Sequence, residues 1–356
     1  TNYIVDLNYR NLNGIIQKSN NVLFYPSIRV NHTMFDGKLK FEANVSGYEQ
    51  HYFSGSDGGS YNSGVYKNAL TYNPTDPIKD SAGNWTEHTD KTDYMNPVSL
   101  LMETHGKNQN TDLRTSGTIS FRPIKEINIQ LLASRDLYNS VRGYAETKKN
   151  YSNIRGSKNG YASRGTTRSE DDLMELTATY DKRIKDHHLT ALAGYSWLKN
   201  NYQDYWMQNW DFPTDEFSYN NMGAGLALKR GETPESSTQT ENKLIGYFAR
   251  INYSYKDKYL LAASIRREGS SKFGADNKYG NFPAISAGWN IAQETFMQEV
   301  RIFTSLKLRG GYGITGTEPN DPYKSLKILN FDQFAYIDGQ WIQTPNLSQN
   351  PNPDLR

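Results

Sequence analysis

The amino-acid sequence predicts an all-β fold, a transmembrane antiparallel up-and-down β-barrel with long extracellular loops. Apolar and polar residues alternate along most of the chain, which is the period of a strand whose two faces differ. The alternating runs are mostly about eleven residues or longer, whereas strands of globular proteins usually have about 5–6 residues and tilted membrane strands about 9–11. Short turns alternate with long polar segments, which is the expected layout of an outer-membrane barrel.

The composition is unusually polar for a chain of 356 residues. Hydrophobic residues make up 36% and aromatic residues 13%, whereas a soluble domain is typically about 45–50% apolar with glycine counted. The net charge of +2 and the even spread of Lys and Arg predict no nucleic-acid partner. Cysteine is absent, which excludes disulfides, thiolate catalysis and cysteine metal sites. No apolar run approaches the roughly 18–20 residues of a spanning helix.

About eleven candidate strands follow one another along the chain. They lie near 2–11, 21–32, 38–52, 111–122, 126–141, 165–181, 187–203, 241–255, 259–269, 279–292 and 304–315. In nearly every one the two faces differ in the same way. In the strand near 187–203, for example, Leu189, Ala191 and Ala193 share an apolar face, and the other face is polar.

The strand near 241–255 shows which face meets lipid. Ile245, Ala249 and Ile251 lie on one face, while Arg250 and Asn252 lie on the other. An arginine on the lipid face near the bilayer midplane would cost about 2–4 kcal/mol. We therefore expect the apolar face to meet lipid and the arginine face to line a wet lumen.

The connections and the aromatic residues predict two distinct ends of the barrel. Short turns are expected at 35–38, 122–126, 182–186 and 256–258, and long loops near 53–110, 142–164, 204–240 and 316–356. Outward rings are expected at the short-turn ends, at Tyr180, Tyr253, Tyr255, Tyr259 and Trp289, and at the opposite strand ends, at Tyr195, Trp197 and Tyr312. Rings at both ends of an apolar band are typical of the aromatic girdles of membrane barrels. A soluble or surface-attached glycan-binding β-sandwich with no transport role is the alternative, which the strand lengths disfavour.

Two stretches resemble the barrel of SusC/RagA-type TonB-linked outer-membrane transporters: GYFARINYSYKDKYLLAASIRREGSSKFGADNKYGNFPAISAGWNIAQETFM (246–297) and LKLRGGYGITGTEPNDPY (306–323). Weaker, collinear similarities are ALTYNPTDPIKDSAGNW (69–85), NPVSLL (96–101) and NPNPDLR (350–356). The resemblance implies a barrel of about 22 strands around a plug. Residues 1–356 would then form part of a TonB-dependent receptor barrel domain, about eleven of those strands.

The resemblance also implies a function and partners. Such transporters import oligosaccharides or peptides across the outer membrane of Gram-negative bacteria, with energy supplied through TonB, beneath a SusD-like surface lipoprotein. We find no plug or TonB box in these residues and expect the contact with TonB to be made by a missing N-terminal segment. The sequence leaves open whether the substrate is a glycan or a peptide.

The sequence predicts neither an enzyme nor a cofactor. His187 and His188 are adjacent on a strand and point to opposite faces, so they are poorly placed to share a metal ion. The acidic run SEDD (169–172) has no partner acid in the sequence at the separation that a glycosidase needs. A polar turn and a solvated barrel rim explain these two features.

The segment NYQDYWMQNWDFPTDEFSYNNMG (201–223) is the candidate substrate site. It combines seven aromatic rings with Asp, Asn and Gln at the long-loop end of a strand. Flat rings beside amides and carboxylates suit sugars and also extended peptides. We expect Trp206, Trp210 and Asp211 to help form an outer substrate chamber; the alternative is that the rings fold the loop onto itself or dock it to the lipoprotein.

Overall fold

The computed structural model describes residues 1–54, 64–91, 94–297 and 303–355. Its main feature is one eleven-stranded sheet in which consecutive strands are neighbours, in the order β1 to β11. Every neighbouring pair is antiparallel. The strands are β1 (Asn2–Asn13), β2 (Ser19–Met34), β3 (Leu39–Ser54), β4 (Thr104–Phe121), β5 (Ile127–Glu146), β6 (Tyr161–Ile184), β7 (His187–Trp210), β8 (Glu235–Tyr255), β9 (Tyr259–Ser270), β10 (Tyr279–Asn290) and β11 (Lys307–Gly313).

The sheet is an open meander. Within the described residues β1 pairs with β2 and β11 pairs with β10, and the two do not pair with each other. The predicted eleven strands are therefore confirmed in number and order, as part of a barrel wall. A β-sandwich would need two sheets packed face to face, whereas this chain places its long strands in one sheet.

The helices are short and lie in the connections. They are α1 (Val65–Thr71), α2 (Pro97–Met102) and α3 (Tyr151–Arg155), with 3-10 turns at Asp215–Phe217, Met222–Ala224, Ile291–Gln293 and Thr295–Met297. Asn96 begins α2, because its side chain accepts hydrogen bonds from the backbone N–H groups of Val98 and Ser99. In the described part of the chain no helix is both long and apolar enough to cross a membrane.

The register brings apolar side chains together on one face of the sheet. Ile251 of β8 lies opposite Ala191 of β7 and Ala263 of β9. Ile285 of β10 also lies opposite Ala263. In β9 the exposed residues alternate with less exposed ones, because side chains spread apart on the convex face of a curved sheet and crowd together on the concave face. The apolar face is the convex one, and there Ile251 is 53% exposed and Ile285 55%.

The opposite, concave face is polar, as the sequence predicts. Arg250 lies there and its Nε donates to Oδ1 of Asn252 at 3.0 Å. On the convex face of β7 and β8 the last apolar pair toward the long-loop end is Trp197 with Ile245. The next pair on that face is Lys199 with Lys243, so the apolar band ends between these two levels. From His187 to that level the band covers about ten residues, which in a tilted strand gives a height of roughly 25 Å.

Several strands are longer than predicted at the long-loop end. β6 and β7 have 24 residues each, and β4, β5 and β8 also continue beyond their predicted limits. The expectation that Tyr195 and Trp197 lie at a strand end is wrong, since β7 continues to Trp210. The extensions have polar residues on both faces, so they lack the contrast by which a strand is recognised in sequence.

A second small sheet was not predicted. Residues after 316 were expected to form a loop, but β12 (Ile328–Ile337) and β13 (Gln340–Gln349) pair as a hairpin. Asp338 and Gly339 form its turn with φ values of +49° and +81°. Asp-Gly between two strands is a strong hairpin signal because a type I′ turn needs positive φ at both positions. The sequence therefore contained this signal.

Candidate functional site

Trp206 and Trp210 lie on the concave face of the sheet, in the part of β7 that extends beyond the predicted strand. Trp206 is opposite Gly165 of β6, and Trp210 is opposite Tyr161. Both are an even number of residues away from Thr190 in β7, and alternate residues of a strand point to the same face. They therefore lie on the polar face, as Thr190 does. The structure thus places the two tryptophans on a strand wall, rather than in the loop that the sequence predicts.

Polar and aromatic side chains surround these tryptophans on the same face. Tyr161 donates its hydroxyl proton to Oε1 of Gln208 at 2.8 Å, and the rings of Tyr144 and Tyr161 meet edge to face with centroids 6.3 Å apart. Oγ1 of Thr167 donates to Oδ1 of Asp204 at 2.7 Å. These groups combine ring faces with hydrogen-bonding side chains.

The sequence analysis missed most of this neighbourhood. The residues that were not predicted are Arg142, Tyr144, Tyr161 and Thr167. They come from β5 and β6, and the cross-strand register brings them to the same face as Asp204 and Gln208 of β7. A register of that length could be read only after the ends of β5, β6 and β7 were known.

Each tryptophan has a defined neighbour. A Cβ at Gly165 would lie 3.5 Å from Cδ1 of Trp206, an ordinary van der Waals distance, so the indole lies directly beside β6. The Nζ atom of Lys158 lies 3.8 Å from the centroid of Trp210. This is a cation–π contact, which fixes the position of the Trp210 ring.

Asp211 has a different environment from the two tryptophans. It adopts a φ of +61° directly after β7. Its Oδ1 accepts from the backbone N–H of Asn159 at 2.9 Å, and its Oδ2 accepts from Nη2 of Arg230 at 2.5 Å. The Asn159 N–H, followed by Arg230, lowers the pKa of the Asp211 carboxyl. Asp211 therefore joins the end of β7 to two loops as an ionised group.

The loop 211–234 packs on the opposite, convex face of the strand extensions. Phe212 and Met222 are buried against Ala145 and Ala162. These two alanines are opposite each other and point to the same face as the apolar residues of β5 and β6. The fully buried Asn209 holds the loop there, because its Nδ2 donates to the carbonyl of Met222 at 2.8 Å. The loop rings of this cluster thus serve packing, on the side of the sheet away from Trp206 and Trp210.

The other candidate residues lie in structural contacts. Nδ1 of His187 is 2.7 Å from the hydroxyl of Tyr253, whereas Nε2 of His188 is 3.1 Å from Asp181. The two histidines therefore lie on opposite faces. In the acidic run 169–172, Glu170 pairs with Arg135 at 3.1 Å. Within the described ranges no group of three or more His, Asp or Glu residues is arranged to hold a metal ion.

Comparison with known proteins identifies the family. The chain is 30% identical over 332 residues to TonB-dependent receptor P26 of Formosa agariphila, covering 92% of this chain and 32% of P26. It is 26% identical, over an alignment of 380 positions, to TonB-dependent receptor SusC of Bacteroides thetaiotaomicron, covering 99% of this chain and 36% of SusC. The structure matches that of the RagAB peptide transporter with a TM-score of 0.80 at 21% identity, over 99% of this chain and 39% of that chain. The chain belongs to the SusC/RagA-type TonB-dependent receptors.

Membership of this family accounts for the sheet. The chain spans about a third of the length of the curated relatives it matches, 32% of P26 and 36% of SusC. An open sheet of eleven strands is half of a closed barrel of about 22 strands, so the sheet is open because the chain is only part of such a barrel. No family model matches the chain.

Proposed function

We propose that this chain forms part of the wall of an outer-membrane transporter that imports oligosaccharides or peptides in a Gram-negative bacterium. Energy would come through TonB, and a SusD-like surface lipoprotein would cover the long-loop end. The names of the relatives support transport, since one is the TonB-dependent receptor SusC and a structural neighbour is a peptide transporter. The proposed activity requires no cofactor and no catalytic residue.

The observation that carries this proposal is the pair of tryptophans on the concave face. Trp206 and Trp210 lie among Tyr161, Asp204 and Gln208, where a solute passing the long-loop end of the lumen would meet them. Indole rings contribute apolar contact, and the neighbouring amide and carboxylate groups bind hydroxyls or peptide groups. Substrate would therefore contact this wall before it moves deeper.

Asp211 would act in this site as a positioning residue. Its Oδ1 accepts from the N–H of Asn159, and the preceding residue, Lys158, lies over the ring of Trp210. Asp211 thus holds in place the loop that supports one tryptophan. We propose that all three predicted residues belong to the site, two by contact and one through this hydrogen bond.

The test uses the full-length transporter with both tryptophans replaced. Trp206→Ala together with Trp210→Ala should weaken substrate binding and uptake while the amount of protein in the outer membrane stays normal. Tyr205→Ala is the matched control, since Tyr205 is adjacent in β7, points to the other face and is 42% exposed. Unchanged affinity and uptake in the double variant would rule out the site and leave the rings a structural role.

The membrane location is tested separately. Full-length protein should stay with the outer-membrane fraction after carbonate washing and dissolve only in detergent, because its convex face is apolar. Release by carbonate would contradict the location proposed here.

A further inference from the structure

The convex face carries a row of basic side chains where the apolar band ends on the long-loop side. Each strand from β5 to β9 contributes one of them. Each is an even number of residues away from apolar convex-face residues of its own strand, so all five point away from the lumen. We call these five residues the basic row: Arg135, Arg168, Lys199, Lys243 and Arg267.

The centre of the basic row is a pair of lysines that share one carboxylate. Lys199 of β7 is directly opposite Lys243 of β8. Nζ of Lys199 lies 2.9 Å from Oε2 of Glu241, and Nζ of Lys243 lies 2.9 Å from Oε1 of the same residue. The two lysine side chains are still 32% and 49% exposed. Glu241 therefore neutralises only one of two accessible positive charges.

The β5 and β6 side of the row contains two arginines that also share a carboxylate. Nη2 of Arg135 lies 3.1 Å from Oε2 of Glu170, and Arg168 pairs with the other oxygen of Glu170. Nε of Arg135 lies 3.6 Å from Asp172. Both arginine side chains are about half exposed, so their guanidinium groups remain accessible from outside the barrel wall.

Arg267 of β9 completes the row on the other side. Its guanidinium carbon lies 5.1 Å from the centroid of Tyr279, a cation–π contact on the convex face. With the carboxylates of Glu170, Asp172 and Glu241, the row combines five cations and three carboxylates. The convex face thus has an excess of positive charge at this level.

Ion pairs at the short-turn limit of the apolar band are composed differently. Lys182 pairs with Glu126, and Nζ of Lys258 lies 3.0 Å from Oε2 of Glu294. Each of these two pairs has one cation for one carboxylate. Carboxylates shared between two cations therefore distinguish the long-loop limit of the band from the short-turn limit.

The basic row is directly next to the apolar band. On β7 and β8, Lys199 and Lys243 follow the pair of Trp197 and Ile245 by two residues, which is roughly 7 Å along a strand. Aromatic rings with a polar edge mark the level where hydrocarbon gives way to headgroups, and lysine and arginine side chains extend from that level toward the headgroups. In the proposed outer membrane, the row lies among headgroups of the outer leaflet.

We propose that the basic row, with Lys199 and Lys243 at its centre, binds the phosphate groups of a phosphorylated glycolipid in the outer leaflet. The inference rests on the outer-membrane location of the proposed function and adds a lipid site to it. Acyl chains lie against Trp197 and Ile245, while phosphate oxygens accept from the two ammonium groups. A free anion would gain nothing from the adjoining apolar band, which is why we assign a lipid.

The extent of the row favours a headgroup with more than one phosphate. Five neighbouring strands at about 4.8 Å separation span roughly 19 Å. Lipid A carries a phosphate at each end of a sugar disaccharide, so one molecule can contact cations on several strands. A headgroup with a single phosphate would contact only part of the row.

The experiment uses the full-length transporter, purified in non-ionic detergent and freed of bound lipid. Native mass spectrometry measures its binding of bisphosphorylated lipid A and of the same lipid after removal of its phosphates. Lys199→Gln together with Lys243→Gln keeps most of the aliphatic stems but removes both charges. This variant should bind the phosphorylated lipid roughly three- to tenfold more weakly, as expected for the loss of two exposed ion pairs. Its binding of the dephosphorylated lipid should not change.

Two further variants separate lipid binding from a structural role of the ion pairs. Lys185→Gln together with Lys256→Gln is the matched control, because it removes the same charge from turns at the opposite end of the sheet; it should bind as the wild type does. Glu241→Gln removes the carboxylate that competes with phosphate for both lysines, so it should bind phosphorylated lipid A more tightly. A loss in Glu241→Gln as large as in the lysine variant would overturn the inference.

The remaining outcomes distinguish the site, its ligand and the location. Equal binding of phosphorylated lipid A by the wild type and the Lys199/Lys243 variant would overturn the site. Equal losses for both lipids would overturn phosphate as the recognised group, and binding of inorganic phosphate without either lipid would overturn the lipid. Normal uptake and carbonate-resistant membrane association, with lipid binding unchanged in every variant, would overturn only this inference. Release of the wild type by carbonate would instead overturn the proposed location.

Discussion

At the scale of single residues, Glu294 joins three groups near the short-turn end of the sheet. It follows the 3-10 turn Ile291–Gln293 and accepts from Tyr259 Oη at 2.6 Å, from Trp289 Nε1 at 3.0 Å and from Lys258 Nζ at 3.0 Å. Tyr259 and Trp289 are two of the outward rings predicted for the aromatic girdle. The carboxylate thus holds girdle rings at the position where lipid is expected to end.

The pKa of Glu294 gives a testable pH dependence. Its hydrogen bond from Tyr259, followed by those from Lys258 and Trp289, lowers the pKa from 4.5 to about 2. Because the pKa of Glu294 is lower in the folded state than in the unfolded state, its ionised carboxylate stabilises the fold fully when the pH is above the unfolded-state pKa. This stabilisation is lost as the pH falls toward the folded-state pKa. The Tm of the full-length protein should therefore fall more steeply between pH 5 and 3 than the Tm of Glu294→Gln. Glu216→Gln, in an exposed loop position, should keep the wild-type slope; equal slopes in all three would contradict this role.

At the scale of elements, the pairing register of the strands determines which side chains lie on each face of the sheet. One residue of slip would move every apolar side chain from the convex to the concave face. The observed pairing avoids this from β2 to β11, and short turns such as 256–258 fix it at one end. The loop end is fixed differently, by buried asparagines whose side chains bond backbone groups: Asn68, Asn96, Asn150, Asn153 and Asn209.

The register predicts opposite effects for arginines on the two faces of β8. Ile251→Arg places a charge on the convex face near the middle of the apolar band, where it costs about 2–4 kcal/mol. Ser254→Arg places the same charge on the concave face and should be tolerated. Surface expression and heat-modifiable migration of the full-length variants measure the difference. Equal assembly of both variants would show that the face assignment is wrong.

At the scale of the whole molecule, polarity is inverted relative to a soluble protein. The barrel wall exposes large apolar residues on its convex face, whereas the buried apolar clusters lie at the loop end. One cluster joins Val65, Leu100 and Tyr151 from the three helical segments. The sheet therefore depends on lipid for its environment, and the loops depend on their own packing.

The open edges of the sheet predict how these 356 residues behave alone. β1 and β11 each have one side unpaired within the described residues, and unpaired backbone groups are not stable in a hydrocarbon environment. The isolated chain should not insert into bilayers as a monomer. Detergent refolding followed by electrophoresis with and without heating measures this, with the full-length protein as the control. A heat-resistant monomeric barrel formed by the isolated chain would contradict the prediction.

The sequence by itself determined the strand count, the strand order and the apolar face of the sheet, and it indicated the family. The strand count, the order and the apolar face follow from period-two alternation and from local turns. The family follows instead from the resemblance of the stretches 246–297 and 306–323. The Asp338–Gly339 hairpin is local in the same sense as those turns, since its Asp-Gly turn lies between two consecutive strands.

Only the tertiary structure decided what lies together on the concave face. The surroundings of Trp206, the loop contacts of Asp211 and the position of Arg266 opposite both Phe248 and Phe282 all join residues from different strands or loops. The polar strand extensions have no contrast between their faces, so their length and pairing could not be read from the sequence. Alternation fixes which face a side chain takes, whereas its neighbours across the sheet depend on the register of the assembled strands.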